Sequence, residues 1–295
     1  MYKRFVAGVK LALGLHHPGR NLKIFGGDVF LVSYPKSGNT WTRFLISNLV
    51  YPEQPANFGN INEMIPDPEG LSKRHLARLP RPRVIKSHQY FHPRYERILY
   101  VVRDPRDVAI SEYHFHRKCR VIDDNLPIQQ FLGEFLRGAY VPYGSWGQNV
   151  ASWLATRNGD PDFLLLRYED MIENTVSELG RIATFLHIDA DVKRLVQAVE
   201  CSSAENMRKL EKSQAHLWSS TRETRKDLPF VRAARSGSWK SELPEICVMQ
   251  IERAWGHIMR YLGYPLAFPE KSPGNGATLE EMLLGNIASS GTVKP

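Results

Sequence analysis

The chain has 295 residues, 42% apolar and 24% charged, enough to bury a sizeable core in one large α/β domain or two smaller ones. Its formal net charge of +8 suits a polyanionic partner, without choosing among a nucleotide, a nucleic acid and an anionic membrane surface. Three scattered cysteines (Cys119, Cys201, Cys247) exclude a disulfide framework and a cysteine-built metal site and favour a reducing compartment, and no apolar run approaches the ~20 residues that span a bilayer.

Residues 1–27 form a basic amphipathic segment, with Lys3, Arg4 and Lys10 among Phe5, Val6, Val9 and Leu11. Lys10 within the apolar stretch argues against a secretory signal, and packing on the domain is preferred to contact with a membrane surface. Val29 to Val32 is a β-branched and aromatic run of the kind a covered parallel strand shows, and Pro35 stops it. Trp41, Phe44, Leu45 and Leu49 then recur at helical spacing, with Thr42, Arg43 and Ser47 off the apolar face. Between strand and helix lie Lys36, Ser37, Gly38, Asn39 and Thr40. A cation, hydroxyls and a glycine at a helix N-terminus favour an anion, and a phosphate is the natural occupant. The G-x-x-x-x-G-K-[ST] spacing of ordinary nucleoside triphosphatases is absent.

Residues 51–82 are rich in Pro, Asn and Gly and read as a long loop with one short helix near 71–79. Residues 83–88 and 97–103 read as a second and third strand, each ending in polar chemistry. Ligands of open α/β sheets bind at the carboxyl ends of strands, which places Lys36, Lys86, His88 and Arg103 on one rim. Asp104-Pro105 starts a helix bearing Ser111, residues 144–154 form another, and residues 163–168 are a fourth strand. Glu169 opens a helix carrying Leu179, Ile182 and Phe185, and a last long helix over 244–262 is stopped by Gly263 and Pro265. This alternation predicts an α/β fold whose central, mostly parallel sheet is covered by helices on both faces. Residues 268–295 read as a loosely ordered tail.

Several separated motifs share one resemblance. Residues 34–41, Tyr-Pro-Lys-Ser-Gly-Asn-Thr-Trp, resemble the 5′-phosphosulfate-binding loop Y-P-K-S-G-T-T-W of the cytosolic-type sulfotransferases, with Asn39 in place of Thr. Lys86-Ser87-His88 is similar to that family's K-T-H element, whose histidine is the general base. Residues 100–111 resemble its 3′-phosphate motif, with Arg103 and Ser111 in matching positions. Tyr168 matches the tyrosine of a Tyr-Glu-Asp element near the adenine, and Ser202 to Met207 occupies T-S-F-x-x-M with Ala204 replacing the aromatic residue. Phe230, Val231, Arg232, Ala233, Ala234 and Arg235 begin a segment similar to R-K-G-x-x-G-x-W-K, which closes over the 3′-phosphate. Ala233 and Ala234 there replace the Lys and the first Gly, and Arg235 is the candidate for the missing charge.

The resemblance runs from about residue 28 to 264 and implies a single P-loop-like domain over 28–267. It also implies a sulfuryl donor, 3′-phosphoadenosine 5′-phosphosulfate, bound by residues 36–41, Arg103, Ser111, Tyr168, Ser202, Met207 and residues 230–235. His88, Lys36 and Lys86 would be catalytic, without a metal ion. The implied setting is cytoplasmic, without nucleic acid, and the acceptor, a hydroxyl or an amine, is not identified. Phe58, Phe91, Tyr113, Phe115 and Tyr143 are candidates for an aromatic acceptor pocket, with core packing the competing role. Two other readings compete with sulfuryl transfer. One is a nucleotide-dependent phosphotransferase with an atypical P-loop, which lacks a Walker A lysine and a Walker B carboxylate. The other is a non-catalytic bisphosphonucleotide-binding protein, which requires His88 to point away from the site. The oligomeric state is left open.

Overall fold

Four strands, β1 (Val29–Ser33), β2 (Val84–Ser87), β3 (Arg97–Val102) and β4 (Phe163–Arg167), form one sheet in the order β2-β1-β3-β4. Every pairing is parallel, with Val32 opposite both Ser87 and Tyr100. Parallel neighbours require crossovers, and helices supply them. Between β1 and β2 lie α1 (Asn39–Val50), α2 (Ile61–Met64) and α3 (Lys73–Arg78); between β3 and β4 lie α4 (Pro105–Lys118), α5 (Ile128–Arg137) and α6 (Trp146–Arg157). After β4 come α7 (Tyr168–Glu173), α8 (Thr175–Phe185), α9 (Val192–Cys201), α10 (Ala204–Gln214), α11 (Trp239–Glu242) and α12 (Glu245–Tyr261). This computed structural model describes residues 22–268, except Gly70, Ser219, Ala233 and the side chain of Lys73. Residues 269–295 of the tail and residues 1–21 of the basic segment lie outside the described residues.

Alternate strand residues serve two cores. Phe30, Val32, Ile98, Tyr100 and Val102 pack with Trp146, Trp153 and Ile251 on one face. Val29, Leu31, Leu99 and Val101 pack with Leu45, Leu49, Leu179 and Ile182 on the other. Both faces are covered, which is why the strands read as continuous apolar runs. Leu22 joins the first core, and its carbonyl accepts from Arg94, so the end of the basic segment packs on the domain. Among the described residues no helix is long and apolar enough to cross a membrane.

Three features differ from the periodicity. Thr42, Arg43 and Ser47 are fully buried, and the chain after α1 folds back over Arg43, which donates to the carbonyl of Ile65 and to Asn62 Oδ1. The helix expected from Glu169 is two helices, broken at Asn174, whose ψ of 51° leaves the helical region. Helices α5, α9 and α10 occupy stretches without an assigned element; in α10 only Met207 is buried, too little for an apolar period to show.

Candidate active site

The carboxyl ends of β1, β2 and β3 open into one cavity of about 790 Å³. The turn from β1 to α1 forms part of its wall. Ser37 N–H donates to the Tyr34 carbonyl, Lys36 takes a left-handed φ of 64° and Gly38 a φ of 99°. A Cβ on Gly38 would stand 2.6 Å from the Tyr168 ring, so the tight passage over that ring requires glycine. Asn39 turns its amide back to the Leu31 carbonyl and to Ser33 Oγ, each at 3.2 Å, and so ties the turn to the strand end. The N–H groups of the first turn of α1 have no intrahelical acceptors and point out of its N-terminus.

The Lys36 ammonium stands 4.1 Å from the Phe115 ring centre and 4.5 Å from that of Phe230, a cation held between two aromatic faces. Burial, with smaller contributions from Arg103 and Arg232, lowers its pKa to about 8. Arg103 lies over the Tyr168 ring at 4.4 Å and donates to the carbonyls of Lys36 and Arg235. Its Nε and the hydroxyl of Ser37 are buried without a hydrogen-bond partner.

His88 also lines the cavity, and its Nδ1 lies 2.7 Å from the Ser33 carbonyl oxygen. A carbonyl only accepts, so Nδ1 carries the proton and Nε2 is left with a lone pair. Burial and the neighbouring Lys86 hold the imidazole well below the ordinary histidine range, hence neutral. Helix α6 fixes the backbone around it. Asn149 accepts from Tyr100 and donates to the His88 carbonyl at 3.0 Å, while Trp153 donates to that of Gln89.

Residues 26–263 match the family model described as a sulfotransferase domain. This chain belongs to the sulfotransferase family. Sulfotransferase 2A6 of Rattus norvegicus is 30% identical over 227 residues, which cover 72% of this chain and 78% of the relative. The amine sulfotransferase of Oryctolagus cuniculus is 28% identical over 262 residues, covering 84% of this chain and 85% of the relative. The mouse sulfotransferase SULT7A1, solved as a complex with PAP, superposes with a TM-score of 0.65 at 25% identity, over 81% of this chain and 87% of that one.

Most residues singled out for this sulfotransferase from its sequence meet at the cavity: Lys36, Gly38, Asn39, Thr40, Trp41, Lys86, His88, Arg103, Ser111, Tyr168, Met207, Phe230, Val231, Arg232 and Ala234. Four stand differently. Ser37 is fully buried under the turn. Ser202 lies behind the wall, its hydroxyl bonded to Asn48 and the Ala198 carbonyl, while its own carbonyl accepts from Trp41 Nε1 and orients that ring. The Arg235 side chain is 64% exposed, paired with Glu242 and away from the lining, so only its backbone carbonyl serves the site through Arg103. Ala233 lies outside the described residues.

Lys86 reaches the cavity, but its ammonium is paired with Asp67 at 2.6 Å, and the lysine holds that carboxyl well below the ordinary range. Asp67, and Glu69, which accepts from the Tyr143 hydroxyl, carry no motif in a loop without periodicity. Of the aromatic candidates, Phe115 and Tyr143 line the cavity, the Tyr143 ring 5.6 Å from that of His88. Phe58 instead stacks on Trp218, Phe91 packs on Trp153 and Tyr113 on Phe131. Trp218, in the wall, had no sequence signal.

These charge states set a pH profile. If Lys36 attracts an anionic donor it does so protonated, and kcat/KM for the donor is then expected to fall as pH rises through about 8. If His88 acts as a base it acts neutral, and its lowered pKa keeps it so on the acid side; its protonation should then cost little activity between pH 7 and about 5. Initial rates at subsaturating donor across this range check both limbs; an acid limb near the ordinary histidine pKa would contradict the buried, neutral imidazole.

Proposed function

We propose that the chain transfers a sulfuryl group from 3′-phosphoadenosine 5′-phosphosulfate to an acceptor hydroxyl or amine by in-line attack. The observation that carries this reading is the contact of His88 Nδ1 with the Ser33 carbonyl, which leaves Nε2 as the unprotonated nitrogen of a residue that lines the same cavity as Lys36. The acceptor oxygen or nitrogen forms the new bond to sulfur as its proton passes to Nε2. The bond from sulfur to the 5′-phosphate oxygen breaks, and adenosine 3′,5′-bisphosphate leaves. Lys36 and the N-terminus of α1 stabilise charge developing on the leaving phosphate. Lys86, drawn from Asp67, is the second cation for the sulfuryl oxygens.

Arg103, Ser111 and Arg232 are assigned to the 3′-phosphate and the Trp41–Tyr168 corner, with ring centres 5.8 Å apart, to the adenine. The Ala204 position leaves the base to these two rings and to Met207. A non-catalytic nucleotide carrier loses its support, because His88 lies on the cavity wall. A cytoplasmic setting is supported by three cysteines of which none forms a disulfide.

Transfer of label from [35S]-donor to a panel of phenols, alcohols and amines, with ATP as the competing donor, tests the reaction; phosphoryl transfer from ATP without sulfuryl transfer would refute it. Adenosine 3′,5′-bisphosphate is expected to bind about 10- to 100-fold more tightly than AMP, because charge-assisted contacts from two arginines are otherwise unmade. Calorimetry with both nucleotides checks this, and equal affinities would remove the 3′-phosphate assignment.

A further inference from the structure

We propose that Asp107, which does not line the cavity, is a positioning residue for the donor. It docks the segment carrying Arg232 over the nucleotide end. The proposal rests on the sulfotransferase reading above.

Asp107 is 2% exposed in the first turn of α4. Its two carboxylate oxygens each accept a backbone N–H from a stretch 130 residues away, Oδ2 from Gly237 at 2.7 Å and Oδ1 from Trp239 at 3.0 Å. The neighbouring Arg106 braces the same turn. Its guanidinium lies 3.7 Å from the Trp239 ring centre and is held by Asp104 at 2.6 Å and Glu252 at 2.5 Å. The other end of the segment is tied to α10, where Glu211 accepts from the N–H groups of Phe230 and Val231. The span between is thus anchored at both ends, and it carries Arg232 on the cavity wall and the Arg235 carbonyl that receives Arg103. Further ties are the hydrogen bonds that Arg208 donates to the carbonyls of Val231 and Arg232, the ion pairs of Arg232 and Arg235 with Glu242, at 3.4 and 3.7 Å, and the Arg235–Ser238 hydrogen bond.

The charge at Asp107 makes this arrangement informative. A buried carboxylate beside a site for a phosphorylated nucleotide opposes the ligand unless its charge is taken up elsewhere. Here two N–H groups and the N-terminus of α4 take it up. Ser111 stands one helical turn further along the same helix and lines the cavity, and Arg103 immediately precedes the helix. One helix end therefore bears on all three groups assigned to the 3′-phosphate: Arg103 and Ser111 directly, and Arg232 through Asp107, in concert with the Arg208 contact to the Arg232 carbonyl.

The test is Asp107→Asn, which keeps the shape but accepts one N–H and turns an amide N–H towards the other. Donor KM and bisphosphate Kd are expected to rise about tenfold or more, with kcat at saturating donor within about threefold of wild type and acceptor KM unchanged. Trypsin cleavage after Arg232 and Arg235, slowed by bisphosphate in the wild type, should no longer be slowed in the variant at the same nucleotide concentration. Unchanged donor affinity and unchanged protection would overturn the proposal, as would a loss of kcat alone, the mark of a merely structural role. Should the variant fail to fold, hydrogen exchange in the wild type decides. Gly237 and Trp239 amides protected, and more so with bisphosphate, support the docking, and unprotected amides overturn it. A wild-type chain that does not bind bisphosphate would overturn the sulfotransferase reading and this proposal together, whereas wild-type binding with an unaltered variant overturns this one alone.

Discussion

Replacing His88 with Ala is expected to lower turnover by about 10²- to 10⁴-fold at saturating donor and acceptor, the range of a lost general base. Donor affinity should stay within a few-fold of wild type, because the imidazole is held by Ser33 and stands beside Tyr143, and is not one of the groups assigned to the donor nucleotide. The alanine variant also leaves the Ser33 carbonyl without its donor, so a second variant separates position from chemistry. His88→Asn retains an amide N–H for that carbonyl and has no basic nitrogen, and it should be as slow as the alanine variant. Steady-state rates together with bisphosphate calorimetry check the split. Full turnover in the asparagine variant would assign the base to another group.

Replacing Lys36 with Ala should both weaken donor binding and lower turnover, the latter by roughly 10²-fold or more. The ammonium already attracts the bound phosphate and attracts it more strongly as the leaving oxygen gains charge, so the two losses arise from one contact at two stages of the reaction. Alanine keeps the Cβ that Lys36 carries at φ 64°, so the turn is not asked to change its backbone. The alkaline limb near pH 8 should vanish with the side chain, a signature that a general distortion of the loop would not produce. Donor Kd, single-turnover rate and the pH profile of this variant are the measurements. Normal binding and transfer would remove the turn from the mechanism.

The features legible in the sequence are those made by neighbours along the chain. A β-branched run, a Lys-Ser-Gly turn and a helical period stand within residues 29–50, so the strand, the turn and the start of α1 follow from contiguous residues, as does a phosphate-binding character. The motifs around His88, Arg103 and Tyr168 are local in the same sense. The parallel sheet was also legible, because apolar strands alternating with helices have few other ways to cover both faces.

What only the tertiary structure decided lies between segments far apart in sequence. That α1 is buried on its polar side depends on Ile61 to Ile65 folding over Arg43, and no period within the helix records it. That Lys86 is an ion-paired lysine depends on Asp67, from a loop without periodicity, and that His88 presents Nε2 depends on a carbonyl 55 residues away. That Ser202 supports Trp41 while Arg235 offers only its carbonyl depends on where Asn48 and Glu242 stand. Periodicity and motif spacing encode which face of an element is apolar and which groups adjoin it. The partner of each buried charge is instead set by the crossovers that bring distant turns together, and those partners decide protonation, tautomer and reach.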